Sequence, residues 1–229
     1  MTFKCISWGL ILCLRCSPLF AQIEMNQVSL GLSYWQRTYS GVDERAFLFN
    51  YPGSGNFQHG GLLPSISAEV GIYKGFAVEG RVGYWRGNFE SHGMAGENFR
   101  ISERIDQVII PAYGGMVYNF RNMIPKYLNG YMGAGVSRYF MDSRFSRKVE
   151  DGIGDLVEVP FRGNNYGGNV KVGLEYLFPK FISIALEGRY HLASYKQSWQ
   201  AGKTGTPVLQ KIDLKGLETG LFIRYSFSY

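Results

Sequence analysis

The stretch from Leu217 to Tyr229 alternates without a break, and that alternation restricts the fold more than anything else in the chain. Leu217, Thr219, Leu221, Ile223, Tyr225, Phe227 and Tyr229 share one face, and Glu218, Gly220, Phe222, Arg224, Ser226 and Ser228 share the other. A period of two is a β-strand. One face is apolar and ends in aromatic rings, and the other carries Glu218 and Arg224. Such a strand suits a wall with lipid outside and a polar interior.

The same pattern recurs along the chain. Val28, Leu30, Leu32 and Tyr34 alternate with Ser29, Gly31 and Ser33, and Ile66, Ala68, Val70 and Ile72 alternate with Ser65, Ser67, Glu69 and Gly71. Phe76, Val78, Gly80, Val82 and Tyr84 oppose Ala77, Glu79, Arg81 and Gly83. A fourth strand around Ile105 to Phe120 is apolar on both faces, which leaves its register open. Met132, Ala134 and Val136 then oppose Tyr131, Gly133, Gly135 and Ser137, and Val170, Val172, Leu174 and Tyr176 oppose Asn169, Lys171, Gly173 and Glu175. Ile182, Ile184, Leu186, Gly188 and Tyr190 oppose Ser183, Ala185, Glu187, Arg189 and His191. With the terminal strand the count is eight. Ala77–Arg81 and Ala185–Arg189 echo one another, a likeness that similar barrel hairpins reach with or without duplication.

Connections alternate between two lengths. Lys74-Gly75, Arg121 to Tyr127 and Pro179-Lys180 are short. Tyr39 to Leu62, Gly87 to Arg104, Asp142 to Gly163 and Lys196 to Ile212 are polar, Gly-rich and roughly twenty residues each, as expected of a barrel with tight turns at one end and loops at the other. The long connections hold Phe47, Phe49, Tyr51 and Phe57, and Arg144, Arg147, Lys148 and Arg162. Aromatic and Arg side chains favour binding surfaces, and Arg forks suit phosphate.

At the other end, Lys4 precedes a largely apolar run from Cys5 to Leu14, and Ala21 offers a small residue before Gln22. This run is too short to span a bilayer and reads as a secretory signal peptide over residues 1–21, leaving 22–229 as one barrel domain. Cys5, Cys13 and Cys16 all fall in the signal, so the expected mature chain has no disulfide, thiolate metal site or Cys nucleophile. Loss of Lys4 and Arg15 lowers 24 basic residues to 22 against 18 acidic ones. The charges are scattered, with no basic run, which argues against nucleic acid as a partner.

Strand parity sends Glu69, Glu79, Glu175, Glu187 and Glu218 inward, together with Arg37, Arg81, Lys171, Arg189 and Arg224. Arg37 lies near the outer limit of its strand. An eight-stranded barrel encloses only enough space for side chains. Charges buried there must pair, so the expected role is a structural plug, with an ion or proton path through Glu79/Arg81 and Glu187/Arg189 as the contrasting one.

Other motifs fall short of chemistry. Gly202-Lys203-Thr204 ends like a phosphate-binding loop, but Gln197 stands where its first Gly belongs. Gly53-Ser-Gly55 has no surrounding βαβ pattern. His59, His92 and His191 show no second ligand at metal spacing. His191 and Ser194 are three apart, on opposite faces of a strand, so no hydrolytic pair forms along it. No cofactor is expected.

The alternating, aromatic-ended terminal strand, the signal-like leader and the eight-strand pattern together resemble the small bacterial outer-membrane β-barrels, the family of the outer-membrane protein A transmembrane domain. That resemblance implies an all-β, eight-stranded antiparallel up-and-down transmembrane barrel with short periplasmic turns and long extracellular loops. It also implies that Leu221, Ile223, Tyr225, Phe227 and Tyr229 form the C-terminal insertion signal read by the barrel-assembly machinery. Outer-membrane lipids and lipopolysaccharide become the expected surroundings. The expected function is non-enzymatic: surface loops on a plugged barrel, serving envelope integrity, adhesion or partner contact. Passage of small solutes, hydrophobic ones included, and lipid A modification are the alternatives.

Overall fold

The computed structural model describes residues 24–38, 44, 48, 59–95, 99–124, 127–150, 155–178, 181–199 and 208–227. Residues 1–21, read above as a signal peptide, the Phe47–Phe57 aromatics, both glycine motifs and Tyr229 lie outside them. Eleven strand segments result: β1 (Glu24–Arg37), β2 (Gly60–Tyr73), β3 (Phe76–Gly83), β4 (Trp85–Ala95), β5 (Phe99–Ile124), β6 (Leu128–Val149), β7 (Leu156–Leu177), β8 (Ile182–Leu192), β9 (Ser194–Trp199), β10 (Val208–Asp213) and β11 (Gly216–Ser226). Each of β1, β2, β3, β5, β6, β7, β8 and β11 pairs antiparallel with its neighbours, and the β3–β5 and β1–β11 ladders close the ring at eight. β4 prolongs β3 beyond Tyr84, β9 prolongs β8 beyond Ala193, and β10 runs into β11 through Leu214 and Lys215.

Cross-strand rows climb around the wall. One row passes from Phe76 through Tyr118, Met132, Val172, Gly188 and Thr219 to Tyr34. It begins in a lower ring of aromatics and ends in an upper one, as expected of strands tilted to the barrel axis. The lower ring holds Tyr73, Phe76, Tyr127, Tyr176, Phe178, Phe181, Tyr225 and Phe227, and the upper ring Tyr34, Tyr84, Phe140, Tyr166 and Tyr190, all exposed. Between them Leu30, Leu32, Ile66, Val82, Met116, Val136, Val172, Leu186, Leu221 and Ile223 are exposed too. A soluble monomer does not present so continuous an apolar belt. An apolar band edged by two aromatic girdles is a membrane-crossing wall.

The lower turns are tight. In the β2–β3 hairpin Lys74 and Gly75 both take positive φ, 40° and 88°, as a primed two-residue turn requires. A Cβ at Gly75 would also lie 2.9 Å from the Asn119 carbonyl oxygen, so the position needs glycine twice over.

At the upper end the sequence-based reading needs revision. Three of the four long connections are largely ladder. Trp85–Ala95 pairs with Phe99–Ile109, β5 and β6 stay paired up to Ile101 and Val149, and β9 pairs with β10. The hydrophobic pattern inverts above the girdle, which hid these strands. There Phe89, Ile105, Ile109, Met141, Phe145, Tyr195 and Ile212 point inward and are buried, and the outward positions are polar. The same inversion settles the register of β5. Its apolar residues face inward at Ile105 and Ile109 and outward at Ile110 and Met116.

Candidate functional site

The interior has two storeys, and the lower one holds the charges. Glu69, Glu79, Arg81, Lys171, Glu175, Glu187, Arg189, Glu218 and Arg224 are all buried inside the wall. Register supplies their proximity: Lys171 faces Arg189, which faces Glu218 on the next strand, while Glu187 lies between Gly173 and Gly220. The small neighbours matter here. A Cβ at Gly173 would lie 2.2 Å from the Tyr131 ring, so that ring reaches the centre only across a glycine.

Glu187 is the hub. Its carboxylate lies 3.0 Å from Arg189, 3.1 Å from Lys171, 3.3 Å from Arg81 and 3.6 Å from Arg224, and the Tyr131 hydroxyl donates to it at 3.1 Å. Glu79 is shared by Lys171 and, at 3.3 Å, Arg189. Glu218 pairs with Arg81 and accepts from Ser33 Oγ at 2.5 Å, with His191 Nε2 at 2.8 Å. Glu175 meets Arg224 at 3.8 Å and the Ser183 hydroxyl. Glu69 stands apart: its contacts are the Gln27 amide at 2.9 Å and the Asn119 amide at 2.8 Å. Aromatic faces complete the cations' surroundings, with Arg224 4.0 Å from the Tyr131 ring and Arg189 4.3 Å from Tyr113.

Arg37 belongs elsewhere. It points inward, as parity has it, and its place near the outer limit of β1 puts it in the upper storey, where it pairs with Glu44 at 2.7 Å and donates to Gln107 Oε1 at 3.0 Å. The indole rings of Trp85 and Trp35 lie 5.3 and 6.0 Å from its guanidinium. Around this pair Trp35, Leu63, Trp85, Phe89, Ile105, Ile109, Tyr139 and Tyr195 form an apolar core. Glu44 and Phe89 escape a sequence reading because they lie in stretches that look like loop, and Ile105, Gln107 and Ile109 because their strand is apolar on both faces. A second pair, buried Glu103 with half-buried Arg147 at 2.6 Å, joins two loop-like stretches.

His191 bridges the two storeys. It contacts Glu218 below and the Tyr139 hydroxyl at 2.8 Å, and its ring lies 4.6 Å from Trp35. Ser194 lies beyond the Ala193 break on the other face. His92 meets the Ser102 hydroxyl at 3.1 Å. Among the described residues no three His, Cys, Asp or Glu side chains converge as a metal site would need.

Outside the wall, above the upper girdle, Arg104 binds Asp106 through two nitrogens at 2.8 Å each, with Glu90 at 2.9 Å. The Arg104 guanidinium holds the Asp106 carboxyl below its usual range, and Asp106 in turn raises Arg104. Arg144 and Arg162 flank Asp142 at 4.0 and 3.3 Å.

A closed ring of antiparallel strands, apolar and girdled outside, polar within, is the architecture of integral bacterial outer-membrane proteins. No model of a known protein family matches the sequence, and no curated protein matches it. Solved structures do. The outer-membrane protein OprG from Pseudomonas aeruginosa is 10% identical with a TM-score of 0.56, the match covering 91% of this chain and 98% of that one. Neisserial surface protein A is 15% identical with a TM-score of 0.45, covering 90% and 99%. The attachment invasion locus protein Ail of Yersinia pestis, solved with the heparin analogue sucrose octasulfate, is 13% identical with a TM-score of 0.43, covering 88% and 100%. The likeness to OprG is one of fold.

Proposed function

We propose that this chain is a closed, non-enzymatic outer-membrane barrel that carries the β4–β7 extension and its upper connections as a contact surface for the cell envelope or an external partner. The filled interior carries the reading. Where the two storeys meet, Leu63, Arg81, Tyr113, Ser137, Arg189, His191 and Glu218 surround about 10 Å³, room for at most a single water. Below that point the cations and carboxylates occupy one another, and above it two indoles and an Arg–Glu pair fill the bore. An ordered, prolonged β wall above the membrane suits display better than it suits conduction. The engagement of His191 by Glu218 and Tyr139 favours a structural role over a catalytic one.

The test is conductance of the purified full chain in planar bilayers. The expected trace shows no steady open level. A large, long-lived conductance would overturn the closed-barrel reading in favour of solute passage. Mass spectrometry of lipid A from cells with and without the protein should show identical species, and a changed species would overturn the non-enzymatic assignment.

A further inference from the structure

Above the upper girdle, β4 and β7 each leave one edge beyond the ring of paired strands, and the chain treats the two edges differently. β3 and β4 run against β5 in one unbroken register, in which Asn119 N–H donates to the Gly75 carbonyl at 2.8 Å. Backbone groups of successive residues point to alternate sides of a strand. Phe89 and Ser91 therefore turn theirs to β5, and Glu90, His92 and Met94 turn theirs away. On that side β2 reaches up only to Gly60, and among the described residues no strand pairs with the upper half of β4 there.

The outer edge of β7 is blunted. Leu177 N–H donates to the Tyr127 carbonyl at 2.8 Å, and the register from there up to Val159 has no break. Pro160 thus turns the side that lacks an N–H away from β6, where an incoming strand needs a donor. β4 has no such device. From Trp85 to Ala95 it holds no Pro, no Lys and no bulge. Its one carboxylate, Glu90, is held by Arg104 at 2.9 Å. An edge left unblunted is a template for another strand.

The head of this edge adjoins a cavity of about 780 Å³ lined by His92, Met94, Arg100, Ile101, Lys148 and Val149 among others. Arg100 and Lys148 are exposed, and among the described residues no carboxylate stands at ion-pair distance from either side chain. The Glu150 carboxylate accepts instead from the Arg100 backbone N–H, at 3.3 Å. Arg100 lies directly across from Met94, and Lys148 lies across from Ser102 on the next strand. A carboxylate leaning over Met94 from a strand on the open edge meets Arg100 first, with Lys148 behind it.

We infer that β4 is a docking edge for an extended, acidic segment of another polypeptide at the cell surface. The segment pairs with the backbone of Glu90, His92 and Met94 and sets a carboxylate against Arg100. This names a partner class for the contact surface proposed above and rests on that reading.

The full chain in phosphatidylcholine nanodiscs is mixed with a short peptide of alternating Thr and Glu, or of alternating Thr and Lys, and amide hydrogen exchange is read residue by residue. Without peptide, Glu90, His92 and Met94 should exchange quickly, while Phe89 and Ser91, bonded to β5, exchange slowly. The Glu peptide should slow the first three about tenfold, and the Lys peptide should not. H92P removes one donor from the open edge and leaves the β4–β5 ladder whole, so it should weaken binding of the Glu peptide about tenfold, the loss of one backbone hydrogen bond. H92A keeps the N–H and should match the wild type. R100Q should abolish the preference for Glu over Lys. Heat-dependent gel mobility reports folding, and M94P, nearer the tip, carries the comparison if H92P does not fold. Slow exchange at Glu90, His92 and Met94 in dilute free protein would show the edge covered by the chain itself. Protection that rises with barrel concentration would show a second copy on it. Either result overturns the assignment, as would binding of neither peptide, equal binding of both, or wild-type affinity in the proline variant. None of these outcomes alters the conductance trace on which the closed-barrel reading stands.

Discussion

Replacing Glu187 by Gln removes one charge and almost no volume, and the structure gives it the largest expected cost of any lumen substitution. Four cations lie within 3.6 Å of this carboxylate, and Lys171, Arg81 and Arg189 converge on it from three strands. Arg189 and Lys171 keep Glu79, and Arg81 keeps Glu218, so no cation is wholly orphaned. They are nevertheless left facing one another around a neutral amide, inside a wall that excludes water. Breaking a buried pair costs about 3–5 kcal/mol, and E187Q belongs in that range. Glu69 is the internal control. It is as buried as Glu187, but its partners are two amides, so E69Q loses one charge-assisted hydrogen bond and should cost about 1.5–3 kcal/mol, less than E187Q. Both variants remove one negative charge from the lumen, so net charge predicts equal effects and local geometry predicts unequal ones. The assay is urea unfolding in lipid vesicles, followed by tryptophan fluorescence. In the cycle E187Q, R81Q, E187Q/R81Q the coupling should reach about 1–3 kcal/mol. An E187Q variant as stable as the wild type, or no more perturbed than E69Q, would refute the hub assignment.

Val78 and Leu186 face lipid, 42% and 57% exposed, so V78R and L186R should each lose about 2–4 kcal/mol of folding stability in bilayers; assembly as good as the wild type would invert the wall. Deleting Tyr225 to Tyr229 removes the Tyr225 pairings with Val28 and Ile182 and the Phe227–Asn26 hydrogen bond, and should abolish the heat-modifiable band in outer-membrane fractions. Trp85→Ala should cost about 3–5 kcal/mol while leaving membrane insertion intact, because Trp85 is wholly buried in the upper core; unchanged stability would deny that core a structural role. Asp106 has a depressed folded-state pKa, so its pairing stabilises above the ordinary carboxylate range and is lost as pH falls through the folded value. D106N should therefore cost under about 1 kcal/mol at neutral pH and nothing at strongly acid pH, as unfolding at the two pH values would show.

The parts of this chain that could be read from sequence are those where one solvent rule holds along a whole strand. Between the girdles lipid lies outside and polar groups inside, so Val78 and Glu79 fall on opposite faces in the sequence as they do in the wall. Above the upper girdle the outside becomes water, and a strand must turn its apolar side inward to bury it. Phe89 and Ile105 then occupy the inward parity that Arg81 and Tyr113 hold lower on the same staves. A strand that crosses the boundary is apolar on one face below and on the other above. Averaged over its length it looks apolar on both, as β5 does, or patternless, as Gly87 to Arg104 does. Arg37 marks the same boundary on β1. Its parity was correct, but its height depends on strand tilt, and tilt emerges only from the register of all eight strands together. Its partner Glu44 comes from a connection with no periodicity, so no local rule could have joined the two.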